Sequence, residues 1–207
     1  MFEDIRFSRI VPAALAAAVL TASPGVAQES TTRGLLIGAH LGGASLSVEG
    51  SERSNGGGGG IAVGYGLNRN FTLFLQLDGA SIDVRNQDDV EGTWAIGHVD
   101  LGTRFHFANS LRSWVPYLQA AFSARAVQVS GLPPESVLGG DDVEFSGGAF
   151  TFGGGVMLYA GQTFAFDLGL LFSGGEFTDI RVGQTTQGGL DLDASSSRFN
   201  LGVAWWP

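Results

Sequence analysis

Ionisable side chains recur at every second position in the middle of this sequence. Four of them occupy even-numbered positions in a single stretch: His98, Asp100, Arg104 and His106. Residues two apart point to the same face of a β-strand, so these side chains form one row. Such a row could support acyl transfer together with a serine, movement of ions or protons, or a network of ion pairs. The stretch has no serine beside its histidines, so we favour the structural role.

Apolar residues occupy the positions between these polar ones. Val99, Leu101 and Phe105 alternate with the polar row, and a comparable alternation appears in eight segments between Gly34 and the end of the chain. A period of two over such segments predicts β-strands with two different faces. The fold class that follows is all-β, with eight antiparallel strands.

The connections between the predicted strands alternate in length. The long ones follow the odd-numbered strands: Glu49 to Gly57, Asn86 to Glu91, Gly131 to Gly147, and Arg181 to Asp193. The short ones follow the even-numbered strands: Asn68 to Asn70, Ala108 to Ser113, and Gly161 to Thr163. This pattern is typical of a transmembrane up-and-down β-barrel with short periplasmic turns, and an even strand count returns both chain ends to the periplasm.

The polar face is predicted to line the barrel and the apolar face to meet lipid. Eight strands enclose little space, so small residues and a few long polar chains fit inside, whereas rows of Phe and Leu would not. The predicted lumen residues are Gln76, Asp78, His98, Asp100, Arg104, His106, Tyr117, Gln119, Arg125, Asp167, Arg198 and Asn200.

The predicted lumen contains equal numbers of arginines and aspartates: Arg104, Arg125 and Arg198, and Asp78, Asp100 and Asp167. A buried unpaired charge is costly, but a hydrogen-bonded network offsets the desolvation. We therefore expect these side chains to form a plug of ion pairs. The alternative is a narrow channel for ions or small solutes.

Aromatic residues cluster at the strand ends beside the short connections. They are Phe71, Phe107, Trp114, Phe164, Trp205 and Trp206. Aromatic rings concentrate at membrane interfaces, so this set predicts a periplasmic girdle.

The last stretch, from Ala194 to Pro207, is predicted to close the barrel. Its spacing of Asn200, Gly202 and Trp205 resembles the C-terminal targeting strand of bacterial outer-membrane β-barrels, although the final residue here is proline rather than an aromatic. From Gly34 onward the chain resembles the small outer-membrane barrels of the OmpA transmembrane-domain and OmpX type.

That resemblance implies a bacterial outer-membrane location and a structural or surface role, such as envelope integrity or adhesion. It also implies contact with outer-membrane lipid and lipopolysaccharide, insertion by the barrel-assembly machinery, and a surface ligand of unknown identity. The periplasmic peptidoglycan-binding domain of some relatives is not expected. Some barrels of this size are lipid-modifying enzymes, but we do not expect this one to be an enzyme.

The first 27 residues are predicted to be a cleaved signal peptide, which leaves residues 28–207 as the barrel domain. Arg6 and Arg9 precede an apolar run from Ile10 to Ala22, and small residues flank Val26. That is the order of a secretory signal, and the apolar run is shorter than the roughly 20 residues of a spanning helix.

Other features of the composition point away from cofactor and nucleic-acid chemistry. The chain has no cysteine, its net charge is −9, and all its 11 basic residues are arginine. An acidic chain of this kind is a poor nucleic-acid binder. We expect no cofactor and no metal site, since the acidic clusters at Asp141–Asp142–Glu144 and Asp191–Asp193 lack calcium-loop spacing. The run Gly56–Gly60 is predicted to be a flexible loop that leads into a strand.

The predicted orientation can be tested by labelling whole cells with an impermeant thiol reagent. Cysteines at Ser54, Gln87, Gly139 and Gln187 should react because they lie in the outward connections. A cysteine at Asn109 or Gln162 should not react. The reverse pattern would contradict the orientation.

Overall fold

A computed structural model of the chain describes residues 32–48, 53–83, 93–107, 113–130 and 142–207. Within these residues the chain forms eight β-strands: β1 (Gly34–Val48), β2 (Ser54–Gly66), β3 (Phe71–Asp83), β4 (Thr93–His106), β5 (Trp114–Ser130), β6 (Val143–Tyr159), β7 (Phe164–Val182) and β8 (Thr185–Trp205). No helix of this part is long and apolar enough to cross a membrane. The predicted signal peptide lies outside the described residues and remains a prediction.

The eight strands form a closed barrel in which each strand pairs antiparallel with the next and β8 pairs with β1. Register partners followed once around the ring from Gly38 lead back to β1 at Val48, ten residues further along. Strand number and stagger together set the strand tilt and the width of a barrel. Closure also leaves no unpaired sheet edge within the ring, which a membrane requires.

Consecutive side chains alternate between the two surfaces of the barrel wall. In β4 the Asp100 side chain faces inward with 0% exposure, whereas the neighbouring Leu101 faces outward with 65% exposure. The outer surface carries most of the large exposed apolar side chains, as the alternation predicts. The predicted all-β class, the eight antiparallel strands and the outward-facing apolar rows are therefore confirmed.

The lower end of the barrel, defined by the short connections, also holds the start of β1 and the end of β8. Residues 67–70 join β2 to β3, and the side-chain Oδ1 of Asn68 accepts backbone N–H groups of Asn70 at 2.8 Å and Phe71 at 3.0 Å. Residues 160–163 join β6 to β7 with Gly161 at φ +106°, where glycine is favoured. The third predicted short connection falls mainly outside the described residues.

At the upper end, three predicted long loops are shorter than expected. The segment Glu49 to Gly57 ends earlier than predicted, because β2 already begins at Ser54. The segment Arg181 to Asp193 is mostly strand, because β7 and β8 meet at the two-residue turn Gly183–Gln184, with Gly183 at φ +57°. The segment Gly131 to Gly147 ends earlier than predicted, because β6 already begins at Val143. An ion pair between Arg181 of β7 and its register partner Glu144 of β6 supports this extension of the sheet.

The predicted flexible loop at Gly56–Gly60 is also strand, since all five glycines lie in β2. At Gly60 the reason is lack of space, since a Cβ there would lie 2.3 Å from the backbone carbonyl oxygen of Leu77 and close to two lumen side chains. A Cβ at Gly60 would lie 2.5 Å from Oδ1 of Asp78 and 2.8 Å from Nε2 of His40. Glycine is therefore needed here so that two lumen side chains can lie against the wall, not because the backbone must bend.

This packing predicts opposite outcomes for two nearby glycines. Gly60→Ala should lower the stability of the barrel, because the new methyl group meets the Asp78 and His40 side chains. Gly79→Ala should be neutral or slightly stabilising, since a Cβ there meets nothing within 4 Å. Denaturant unfolding of both variants in detergent micelles measures the difference, and equal effects would contradict the space argument.

Candidate functional site

The candidate site is the polar section in the middle of the barrel interior. All twelve predicted lumen residues lie on the inward-facing positions of their strands, and nine of them are buried. Asp78, Asp167 and Asn200 are half-buried in the same interior. The alternation of the strands therefore brings together side chains that are far apart in sequence.

Arg198 of β8 is the centre of the upper part of this section. Its guanidinium pairs with Asp78 of β3, and its Nη2 donates to Oδ2 of Asp100 of β4 at 2.6 Å. The same nitrogen lies 3.4 Å from the hydroxyls of Thr151 on β6 and Ser173 on β7. One side chain thus connects five strands across the lumen. A buried cation that accepts no hydrogen bonds needs such partners, because desolvation would otherwise exclude it.

Arg104 of β4 is the centre of the lower part. Its Nε donates to Oε1 of Gln119 at 3.0 Å, and its Nη1 donates to Oδ2 of Asp167 at 3.1 Å. The guanidinium carbon lies 4.1 Å from the centre of the Tyr117 ring, within the range of a cation–π contact. The Tyr117 hydroxyl donates to the other oxygen of Asp167 at 2.8 Å. Arg104, Tyr117 and Asp167 therefore form a closed triangle of contacts.

Two glycines make room for Tyr117. A Cβ at Gly155 would lie 2.6 Å from the Tyr117 hydroxyl oxygen, and a Cβ at Gly169 would lie 2.7 Å from it. The tyrosine therefore lies against bare backbone of β6 and β7. This contact explains why glycine faces the lumen at both positions.

The three histidines face the lumen but differ in their partners. His40 Nε2 pairs with Oδ1 of Asp78, and His106 Nε2 lies 3.2 Å from the hydroxyl of Thr72. His98 is 3% exposed, and neither of its ring nitrogens has a hydrogen-bond partner among the described residues. This arrangement does not bring a histidine together with a serine and a carboxylate in the way that acyl transfer requires.

Arg125 departs from the predicted pairing of arginines with aspartates. Within the described residues it pairs with no carboxylate, because Asp78 and Asp100 both converge on Arg198 and Asp167 binds Arg104. Its Nη2 donates instead to the backbone carbonyls of Gly175 at 2.6 Å and Ala194 at 3.0 Å. The guanidinium also lies 4.6 Å from the centre of the Phe177 ring. The three lumen arginines and three lumen aspartates therefore do not form three separate ion pairs.

Two apolar clusters bound the polar section, and the sequence analysis missed both. The lower cluster consists of Leu36, Val115, Tyr117, Met157, Ala165, Ala204 and Trp206. The upper cluster consists of Leu46, Ile82, Ile96, Val127, Phe177 and Ala194. The signal was present, since Ile96 has the same parity as His98 and Asp100. The members of both clusters use the same inward-facing positions as the polar section, so the alternation of a strand does not separate the two kinds of layer.

The predicted aromatic girdle is wrong at Trp206. It is fully buried in the lower cluster and stacks on Tyr159 with 5.7 Å between ring centres. It cannot face lipid because Trp205, its neighbour, takes the outward position with 47% exposure. The other predicted girdle residues lie on the outer surface near the lower end: Phe71, Phe107, Trp114, Phe164 and Trp205.

The closing strand places its three predicted targeting residues on different faces. Asn200 and Gly202 face the lumen, and Trp205 faces outward. A Cβ at Gly202 would lie 2.6 Å from the Cβ of His40, so glycine allows β8 to lie close to that side chain. The polar residue and the glycine of this spacing therefore serve the interior, whereas the tryptophan serves the outer surface.

Small cavities adjoin the polar section. Two cavities of ≈ 20 Å³ each adjoin the lumen side chains, one beside Arg104 and Asp167 and one beside His98 and Arg198. A volume of this size holds about one water molecule. In the described part of the chain, no three His, Asp or Glu side chains are grouped as metal ligands.

Residues 13–205 match the family described as outer membrane protein beta-barrel domain. No protein with a curated description matches the chain. Among solved structures, neisserial surface protein A is similar at 16% identity and TM-score 0.63, covering 83% of this chain and 96% of that one.

Two further solved barrels are similar. The attachment invasion locus protein Ail of Yersinia pestis has 12% identity and TM-score 0.53, covering 84% of this chain and 100% of that one. OprG of Pseudomonas aeruginosa has 11% identity and TM-score 0.54, covering 85% and 97%. Identities this low show the shared fold alone.

The lumen contacts predict a graded response to loss of a carboxylate. Asp167→Ala should cost about 3 kcal/mol of unfolding free energy, because Arg104 then keeps no carboxylate. Asp100→Ala should cost less, because Arg198 still pairs with Asp78. Leu101→Ala on the lipid face is the control that leaves every charge paired, and it should cost least. Denaturant unfolding gives the order, and an equal effect of all three would contradict it.

Proposed function

This chain belongs to the outer membrane protein beta-barrel domain family and lies in the bacterial outer membrane, and from that premise we propose that it is a closed barrel with a structural or surface-interaction role. The lumen is plugged by its own side chains and conducts nothing. The upper end, opposite the start of β1 and the end of β8, faces the outside of the cell, and the role is exercised there, in envelope integrity or adhesion.

The observation that carries the proposal is the layering of the interior. The ion-paired section lies between the lower and upper apolar clusters, and its cavities hold about one water molecule each. An ion on the lumen axis would have to leave its water twice to pass these clusters, and desolvating an ion without compensating contacts is prohibitive. This order of layers supports a plug rather than a pore.

The charge arrangement supports the same proposal. A water-filled pore solvates its charged side chains, whereas here Arg198 and Arg104 use their hydrogen bonds on protein partners. Their side chains are only 4% and 6% exposed. Charges held in this way stabilise one conformation of the wall and are not available to a passing ion.

The names of two similar structures fit a surface role: one is a neisserial surface protein, and the other is an attachment invasion locus protein. The lipid-modifying enzyme that the sequence left as a third alternative has less support. Catalysis on a lipid headgroup needs its reacting groups at the outer interface, whereas His40 and His106 contact Asp78 and Thr72 inside the barrel.

The proposed partners follow from the surfaces. The apolar outer rows contact outer-membrane lipid and lipopolysaccharide, with Phe122 as the most exposed aromatic at 79%. The closing strand, with Trp205 outward, is the segment that we propose the barrel-assembly machinery reads during insertion. A surface ligand would bind at the upper end.

Conductance in planar bilayers tests the closed lumen. The wild-type barrel should give no current steps under an applied voltage, because both apolar clusters are intact. A triple variant Leu36→Ala, Trp206→Ala and Phe177→Ala removes two large side chains from the lower cluster and one from the upper cluster, and it should conduct if it inserts.

The matched control replaces outward residues of similar size, Leu118→Ala and Phe122→Ala, and should stay silent. Current steps from the wild-type protein would overturn the proposal and favour the narrow channel.

A further inference from the structure

Arg125 is a buried cation to which no carboxylate of the described residues is bound. Its side chain is 2% exposed. One nitrogen, Nη2, donates to the backbone carbonyls of Gly175 and Ala194, while Nε and Nη1 have no hydrogen-bond partner. A charge held away from water without a counter-charge is costly. An anion beside this guanidinium would therefore stabilise the folded barrel.

Two further unpartnered polar side chains lie beside Arg125. His98 of β4 is its register partner, and neither ring nitrogen of His98 has a hydrogen-bond partner. Ser196 of β8 follows two positions after Ala194, whose carbonyl Arg125 binds, and its hydroxyl is also unpartnered. Both side chains are more than nine-tenths buried. Three strands thus bring unpartnered groups together, and we call His98, Arg125 and Ser196 the Arg125 level.

The Arg125 level lies between the upper apolar cluster and the polar section. The residues one inward position above it all belong to that cluster: Ile96, Val127 and Ala194. The residues one inward position below it are all polar: Asp100, Ser123 and Arg198. Apolar side chains on one side and occupied charges on the other enclose this level within the protein.

A chain of hydroxyl groups runs along the wall next to the Arg125 level. The hydroxyl oxygens of Ser123 and Thr151 are 2.6 Å apart, and those of Thr151 and Ser173 are also 2.6 Å apart. Ser173 is the register partner of Ser196. Each hydroxyl has one proton to donate, so a chain of three that donate to one another leaves one O–H group over. The wall from β5 to β8 therefore offers donors to an occupant.

Hydrogen-bond donors outnumber acceptors around this level, which favours an anion over a water molecule. The unpartnered N–H groups include Nε and Nη1 of Arg125 and Nε of Arg198, whereas the unpartnered acceptors are Oδ1 of Asp100 and one nitrogen of His98. A water molecule donates as many hydrogen bonds as it accepts, so it leaves the excess of donors unchanged. An anion only accepts, and it also neutralises charge.

Space and charge limit the kind of anion and its position. The cavity beside His98 and Arg198 has a volume of ≈ 20 Å³, about that of one water molecule, which excludes phosphate and sulfate. Asp78 lines the same cavity, and Asp78 and Asp100 both bind Arg198. A monatomic anion would therefore lie on the side of His98 that faces Arg125, away from these two carboxylates.

We propose that the upper lumen binds one chloride ion between Arg125, His98 and Ser196. The guanidinium supplies the counter-charge, and the serine hydroxyl and one imidazole N–H donate to the ion. The chloride enters as the barrel folds, because the two apolar clusters close the finished lumen. The inference goes beyond the proposed function, since an ion held in this way is part of the structure and does not cross the barrel.

Reversible unfolding of the full barrel in detergent micelles tests the site. The protein is refolded from urea in sodium chloride or in sodium gluconate of the same ionic strength. Once the site begins to fill, the unfolding equilibrium constant should fall about tenfold for each tenfold rise in chloride. Gluconate is too large for the site and should have no such effect. Arg125→Gln should remove the chloride dependence, whereas Arg181→Gln, at an exposed arginine that pairs with Glu144, should keep it.

Ser196→Ala is a milder variant that tests the same site if Arg125→Gln does not fold. It removes one hydroxyl that donates to the ion and leaves the guanidinium in place. The chloride concentration needed for the same stabilisation should rise roughly tenfold, because one hydrogen bond to a charged group is lost. An unchanged chloride dependence in Ser196→Ala would contradict the assigned position.

Bromide locates the ion directly. Crystals of the wild-type barrel grown in sodium bromide should show an anomalous scattering peak between Arg125, His98 and Ser196. Equal stability of the wild-type barrel in chloride and gluconate, or no bromide peak at this position, would overturn the proposal. Such a result leaves the closed barrel standing, because planar-bilayer conductance tests that function independently.

Discussion

The interaction on which the interior depends is the contact of Arg198 with Asp78 and Asp100. A membrane barrel cannot hold its wall together by hiding apolar surface from water in its middle, because lipid already surrounds that surface. Cross-lumen contacts are what remain, and this guanidinium reaches from β8 to β3 and β4. The glycine at position 60 of β2 follows from it, since the wall must lie close enough for Asp78 to meet both His40 and Arg198.

The strand pattern was predictable from the sequence because the membrane imposes a simple rule on every residue of the wall. Lipid outside and a narrow polar interior require apolar and polar residues to alternate strictly. The alternation in one strand, such as β4, therefore already shows which residues face the lumen and which face lipid. The twelve lumen positions followed from that parity alone. Their pairings did not, because parity gives the face of a side chain but not its height or its reach across the lumen. Arg125, with backbone carbonyls as acceptors, shows the difference.

The errors in the sequence analysis have one physical origin, which is that the environment changes along each strand. Above the lipid the outer wall meets water, and β7 and β8 continue as ordinary hairpin strands with exposed polar residues such as Thr186 and Gln187. The polarity of these strand residues therefore resembles that of a loop, and the sequence analysis predicted a loop there. Trp206 shows the same effect at the other end, where the chain leaves the lipid and an aromatic ring covers the lumen instead of facing outward.

This change of environment also gives the two parts of a long strand different constraints. In the lipid-spanning part every backbone group must be paired, so the wall admits no partner there. β8 begins at Thr185, nine residues before its pairing with β1 begins at Ala194, so the hairpin of β7 and β8 extends past β1. The longest described strand, β8, therefore carries both the closing contact with β1 and a further segment that pairs with β7 alone among the described residues.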